Sequence, residues 1–511
     1  MIKMISCTAF TAAVLIAASS SASSPGASAD GSGRGAVMVM GPGAPLRGVT
    51  LILDHAYRHG VQLSPAARLP ASSQAQGPDD ALKQLFVRYA RAVGFGQISP
   101  ATAGMAWDIT RPEFDSGAAQ AAYENGSLDA ALSVLPPSHP GYSALVSALA
   151  RYRSIAARGG WPRIPAGRLF SRGMNDGRVP ALRRRLIAEG AERVSGSQSL
   201  IFDEGLEAAV IGFQRRHGLQ PDGIVGSKTL TALNIPVEQR ISQIIANMER
   251  WRWLPRAFPM RRLEVNIAAA NLKVQEGGRQ SLRMRVVVGS RRHPTPVLQS
   301  TIGKVLINPP WNVPDSIWRR EIFPRLRNQP DYLASKHMVI VGRNDDPQGR
   351  QIDWRSLRVP PPGTRIQQIP GSFNALGRVK FDVPNRFDVY LHDTPERTLF
   401  KRPERALSHG CIRLERPEKL LAYLFPDAAL RPRIAGIGED GPRETKSVAV
   451  TNPLPVFILY WTAFAGRNGT VHFRNDVYGH DSRMIAALSR PGRGFQETFL
   501  ATGCGWKPHA T

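Results

Sequence analysis

Cysteine is scarce, with three in 511 residues. That is too few for a disulfide scaffold or a thiolate zinc cluster. No apolar run approaches the ~20 residues that span a bilayer, which excludes a polytopic membrane protein. Acidic residues are also under-represented, 40 Asp+Glu against 66 Lys+Arg, for a formal net charge of +26. That excess predicts an anionic partner: nucleic acid, an acidic membrane or a carboxylate-bearing polymer. Charge alone does not choose among them. What is present is ordinary for folded protein, 42% hydrophobic and 21% charged, so wholesale disorder is excluded. The length suggests two to four domains.

The first residues speak to compartment. Lys3 precedes a short apolar stretch at 9–18, and Ala27-Ser28-Ala29 is a small-x-small site. This predicts a signal peptide over 1–29, cleaved after Ala29, with an uncleaved anchor as the alternative. Cys7 would leave with it. The mature chain would then hold Cys411 and Cys504, either joined to each other or with one kept for chemistry.

Residues 30–45, rich in Ser, Gly, Ala and Pro, read as a flexible lead-in. Over 46–165 the pattern is helical: Leu82, Leu85, Phe86 and Tyr89 recur at helical spacing, as do Leu145, Leu149 and Tyr152. Pro136, Pro137 and Pro140 are expected to interrupt the helices with a rigid loop. This region carries no chemical motif and is expected to be a scaffold.

A compact unit is expected over 166–236. Pro180 sits at a first helical position, with Val179, Leu182 and Leu186 on one side. Leu206, Ala209, Val210 and Phe213 form a second helical stripe, and a third short helix is expected near 228–233. Gly218 and Pro221-Asp222-Gly223 mark a helix stop and a turn. The string from Phe213-Gln214-Arg215-Arg216-His217-Gly218-Leu219 through Asp222-Gly223, Gly226 and Thr229 to Ala232-Leu233 resembles the three-helix peptidoglycan-binding domain. Phe213, Leu219 and Leu233 read as its core. A linker helix over 237–261 follows.

From 262 the period becomes two. Leu263, Val265 and Ile267 alternate with polar neighbours, as do Leu272 and Val274 before Gly277-Gly278, then Met284, Val286 and Val288. Further strands are expected at 305–307, 379–383 and 388–392. A mainly β domain is therefore predicted over 262–436, interrupted at about 315–375 by a lid-like insert with one helical piece near 317–326, whose Trp318 and Trp354 could cover a peptide. Residues 437–511 are expected as a C-terminal tail, in which 456–461 has the composition of a buried strand.

The chemistry concentrates at Ser408-His409-Gly410-Cys411-Ile412-Arg413, with Tyr390-Leu391-His392-Asp393 upstream. A thiol attacks as thiolate and needs a base or a positive neighbourhood. A His ending one strand can reach a Cys that opens the next element. Gly410 permits close backbone approach, and the N–H groups of Gly410 and Cys411 could hold an oxyanion. Arg413 can fork onto a carboxylate. Adjacent in sequence, His409 is a second candidate base.

The leading His, the gap and Ser-His-Gly-Cys-x-Arg resemble the catalytic motif of the L,D-transpeptidases. Val286-Val287-Val288-Gly289, Thr295-Pro296-Val297, Asn308-Pro309-Pro310-Trp311 and the string 374–381 belong to the same pattern. With the upstream units, the chain resembles the large periplasmic, multi-domain subfamily. The resemblance implies a multi-domain α+β architecture and a periplasmic enzyme that joins peptidoglycan stem peptides. It assigns Cys411 as nucleophile and His392 as base. Asp393 would hold His392 through its main-chain carbonyl; His409 and Gly410, with Ser408 in support, would shape the nucleophile turn and oxyanion hole. Arg413 and Tyr390 would meet substrate. It implies no metal or other cofactor, peptidoglycan peptide and glycan as partners, and covalent inhibition by carbapenem β-lactams. Water, a D-amino acid or a lipoprotein amine could replace the stem amine as acceptor. A non-catalytic wall-binding protein would require a broken motif. A nucleic-acid binder would leave the signal segment unexplained, and the basic residues are not interleaved with an aromatic stacking platform.

Overall fold

The computed structural model describes residues 44–63, 78–191, 194, 198–426, 444–466 and 469–489. The expected signal segment, Cys7, Cys504 and nearly all of the lead-in lie outside them. Among the described residues, nine helices precede β2: α1 (Ala44–Arg58), α2 (Pro78–Phe95), α3 (Ser116–Asn125), α4 (Leu128–Val134), α5 (Pro140–Ala157), α6 (Val179–Ala188), α7 (Glu204–Arg216), α8 (Ser227–Leu233) and α9 (Val237–Arg252); β2 spans Arg262–Asn266. The stripe read from α2 faces inward, with Leu82, Phe86 and Tyr89 buried beside Ile52 and Leu132. Pro140 starts α5 rather than breaking a helix, because its missing N–H costs nothing in a first turn.

In the second unit, α7 is built as its sequence dictates. The Asp203 carboxylate caps it by accepting from the Leu206 N–H at 2.8 Å, and Arg215 and Arg216 meet its C-terminal dipole. Val179, Leu182, Leu206, Val210, Phe213 and Leu233 share one core. Gly218 and Gly223 both take positive φ, +68° and +75°. A linker role for α9 is too small a description. Its Ile244 and Met248 pack with Tyr142, Leu145, Leu149 and Tyr152 of α5, and its Glu249–Arg252 pair is fully buried.

The β region comprises β1 (Trp107–Asp108), β2 (Arg262–Asn266), β3 (Asn271–Glu276), β4 (Arg279–Gly289), β5 (Val297–Ile307), β6 (Trp311–Asn312), β7 (Met338–Ile340), β8 (Ile366–Gln368), β9 (Val379–Asp382), β10 (Leu391–His392), β11 (Ala406–Ser408), β12 (Ile412–Leu414), β13 (Lys446–Leu459), β14 (Ala463–Ala465) and β15 (Val471–Phe473). The main sheet runs β5-β13-β2-β3-β4-β12-β10-β9, and β9 pairs back onto β5. The sheet thus closes on itself around Val265, Leu272, Val286, Ile302, Phe381, Leu391 and Ile412. The strand expected from 388 is shorter, because Asp388 takes a left-handed φ of +54° that ends the extended run before β10.

Two corrections concern the additions to this sheet. The chain beyond 436 is not a mere tail: β13 lies between β5 and β2 and closes the sheet. Its residues 456–461 are all buried, as their composition implies. The insert does not spread its tryptophans over the site either. Trp318 and Trp354, at 2% and 1% exposure, fill the insert's own core with Phe323, Leu333 and Ile366. A separate sheet, β6-β8-β7, backs that core.

Candidate active site

The site forms where β10 and β12 run parallel. Leu391 pairs with Ile412 and His392 with Arg413. Side chains alternate along a strand, so with Leu391 and Ile412 buried in the barrel, Tyr390, His392, Cys411 and Arg413 share its other face. Antiparallel pairing of His392 with Lys380 adds a cation to that face from β9.

His392 is buried, and its Nδ1 donates to the main-chain carbonyl of Asp393. A carbonyl only accepts, so in the neutral ring Nδ1 carries the proton and Nε2 the lone pair. Burial, then Arg413 and Lys380, push its pKa down from 6.5 to about 3. Cys411 is pushed above 9.0 by burial, against a downward pull from the Tyr390 N–H and hydroxyl, Lys380 and Arg413. Burial thus disfavours the charged form of both groups. The thiol lies 3.7 Å from the Asp388 carbonyl. The Tyr390 hydroxyl bridges Cys411 and Trp311.

Asp393 does more than lend its carbonyl. Its carboxylate accepts from the Arg378 N–H at 2.9 Å and the Thr394 N–H at 2.7 Å, and pairs with Arg397. Any side chain at Gly377, whose φ is +58°, would run into that carboxylate. The Asp393 side chain next to His392 is thereby fixed.

Around the cysteine, Ser408 Oγ donates to the Cys411 carbonyl at 2.6 Å and accepts from the Gly410 N–H at 3.2 Å. Gly410 has a φ of +120°, open to glycine and costly for any other residue. Of the two amides expected to hold an oxyanion, that of Gly410 is therefore already used inside the turn. His409 does not join Cys411 and His392. Its Nε2 meets Glu321 of the insert at 2.6 Å, and its ring lies 4.7 Å from that of His293. Arg413 pairs with Glu396.

Lys380 and Trp311 belong to strings legible in the sequence, but only the fold brings them to the cysteine, Lys380 through β9–β10 pairing and Trp311 through the Tyr390 hydroxyl. Thr295, which donates to the Gly410 carbonyl at 2.6 Å, is a third such residue. Among the described residues, no group of three His, Cys, Asp or Glu is placed to hold a metal ion. No described helix is long and apolar enough to cross a membrane.

Comparison with known proteins agrees with this architecture. Residues 260–428 match the model of the "L,D-transpeptidase catalytic domain", residues 175–233 that of the "Putative peptidoglycan binding domain", and residues 49–149 that of the "Scaffold domain". A Haemophilus influenzae protein named "Putative L,D-transpeptidase" is 34% identical over 254 residues, 49% of this chain and 50% of that protein. The chain thus spans about half the length of that relative. Among solved structures, an L,D-transpeptidase from Stackebrandtia nassauensis is 14% identical, with a TM-score of 0.22, covering 51% of this chain and 90% of that one. One from Mycobacterium smegmatis is also 14% identical, with a TM-score of 0.19, covering 39% and 58%. In chain order, then, the protein carries segments that match a scaffold domain, a putative peptidoglycan-binding domain and an L,D-transpeptidase catalytic domain.

Proposed function

We propose that the chain is an exported, periplasmic peptidoglycan L,D-transpeptidase that forms 3→3 cross-links through a Cys411 thioester. The observation that carries this reading is the parallel pairing of β10 and β12. Strand alternation supports one shared face for Cys411 and His392, and the Nδ1 hydrogen bond to Asp393 O supports Nε2 as the base. Cys411 Sγ attacks the carbonyl joining the third stem residue, a diamino acid at its L-centre, to the D-residue at position four. His392 Nε2 takes the thiol proton as the C–S bond forms. The proton moves from sulfur to Nε2 with the attack. The tetrahedral oxyanion is received by the Cys411 N–H. Collapse breaks the C–N bond, and the D-amino acid leaves with the proton returned by His392. A side-chain amine of a second stem then attacks the thioester. Its proton passes through His392 back to sulfur, and the amide cross-link is released. Arg413 and Lys380 would present positive charge to stem carboxylates, and Tyr390 would steady the sulfur by hydrogen bonding.

The peptidoglycan-binding unit supplies a tether that raises local substrate concentration. Carbapenem β-lactams, which mimic the stem terminus, would acylate the same sulfur. The test is mass spectrometry of tetrapeptide muropeptides incubated with purified protein. Expected are 3→3 dimers and a Cys411 acyl adduct, both abolished by Cys411→Ala, with His392→Gln costing at least ~100-fold. Tripeptide alone, with ample acceptor present, would instead establish a carboxypeptidase. No adduct at all would leave only a wall-binding protein.

A further inference from the structure

The nucleophile turn is braced by a residue far outside the segment that matches the catalytic domain. Tyr478 follows β15 and is 4% exposed. Its hydroxyl donates to the Gly289 carbonyl at 2.6 Å and accepts from the Thr295 N–H at 3.2 Å. Both ends of the 289–295 loop are thus clamped by one phenol. Thr295 Oγ1 accepts from the Gly289 N–H at 2.8 Å and spends its single proton on the Gly410 carbonyl at 2.6 Å. Across a trans peptide the C=O and N–H point in opposite directions. Holding the Gly410 carbonyl inward on Thr295 therefore turns the Cys411 N–H outward. The Gly410 N–H goes to Ser408 and the Ile412 N–H to Tyr390 O, so of these three successive amides the outward one is left for a substrate oxygen.

Tyr478 is itself rigidly held. Its N–H donates to the Tyr460 hydroxyl at 3.0 Å, and the two rings stack at 5.4 Å. Tyr460 donates to Asp476 at 2.7 Å, and that carboxylate caps the helix His480–Leu488 through the N–H groups of His480 and Asp481. Asp481 in turn meets buried Arg250 of α9. The brace is anchored in the helical part of the molecule.

We infer that Tyr478 is a positioning residue for acyl transfer, acting through Thr295 to aim the Cys411 N–H at the developing oxyanion. This rests on the thioester reading above and deepens it. An oxyanion donor contributes to the tetrahedral state and little to ground-state binding, and misaiming one costs roughly 100-fold in kcat. Alkylation of the same sulfur by iodoacetamide forms no oxyanion and needs no such donor.

The experiment uses the full chain as wild type, Tyr478→Phe, Thr295→Val and Thr295→Ser. It follows the kcat and KM of Cys411 acylation by a tetrapeptide stem, alkylation by iodoacetamide, and thermal melting. Expected are a loss in kcat of ~10-fold or more for Tyr478→Phe and ~100-fold for Thr295→Val. KM should stay within ~2-fold, alkylation should be unchanged, and Thr295→Ser should retain activity because it keeps the hydroxyl. Wild-type acylation by Tyr478→Phe overturns the proposal, as does a parallel fall in acylation and alkylation. If Tyr478→Phe does not fold, the contrast between Thr295→Val and Thr295→Ser decides. A wild type that forms no adduct overturns the thioester reading itself, a result distinct from any difference among the variants.

Discussion

Between Trp311 and Gln368 the chain closes on itself. Trp318, Phe323 and Trp354 pack edge to face, and β6, β7 and β8 pair only with one another. The residues beyond 444 do the opposite. They close the barrel as β13, pack β14 and β15 against α5 and α9, cap α7 through Arg474 and Arg216 O at 2.8 Å, and brace the nucleophile turn through Tyr478. Both are additions to one sheet. The first keeps its core to itself, whereas the second has none and shares everyone else's. An element with a private core can alter without dissolving its host, whereas one that completes another's hydrogen-bonded ladder cannot.

The harshest way to break this contrast is truncation after residue 443. Removing β13 leaves β2 and β5 as unpaired edges and exposes Val456, Phe457 and Ile458 partners in the core. We expect no cooperatively folded catalytic domain, read by calorimetry and solubility; an unchanged melting transition would contradict the assignment. Next in size is Trp354→Ala. A buried tryptophan lost to alanine costs ~3–5 kcal/mol, but here the loss should stay local. Hydrogen exchange should accelerate over 315–375 while the main transition barely moves. A matching drop in global Tm would mean the insert is not separable.

Acid should weaken the tied side more gradually. Burial, with nearby arginines, holds His217 and His392 at about 3 and His472 and His480 at about 4, all below 6.5. Each stays neutral when folded yet takes a proton when unfolded. The unfolded state therefore binds more protons below pH 6.5, and stability falls as pH drops through that value toward about 4. Glu189, where the pull of Arg185, His217 and Arg216 overcomes burial to set about 2, adds a loss below its ordinary 4.5. A Tm that stays flat from pH 7 to pH 4 would refute this. The mildest test is Glu321→Gln, which removes the charge facing His409 across the insert. The pair is about 40% exposed on each side, so Tm should shift by no more than ~1 kcal/mol equivalent. On the proposed mechanism we expect the ratio of 3→3 dimer to tripeptide to fall, because the insert loses its contact with His409, two residues from Cys411. A constant ratio would make the contact structural only.

Much of this was legible in the residues. Helical spacing of Leu82, Phe86 and Tyr89, alternation of Leu263, Val265 and Ile267, and the Gly277-Gly278 turn are local patterns, and local patterns survive any tertiary arrangement. Ser408 through Arg413 and the distant His392 likewise suggest thiol chemistry, because the candidate nucleophile, candidate base and glycine turn occupy short strings. Tertiary structure alone decided which groups meet. Lys380 reaches the site only through antiparallel pairing of β9 with β10, and His409 is turned toward Glu321 though it neighbours the cysteine in sequence. Trp318 and Trp354 bear the composition of a peptide cover yet are spent on the insert's own core. Tyr478 left no signal at all. It is an ordinary tyrosine in an ordinary turn, and its clamp on Gly289 and Thr295 spans 183 residues at its shorter reach. Sequence spacing encodes which face a side chain takes, but the partner across that face is set by long-range closure of the sheet.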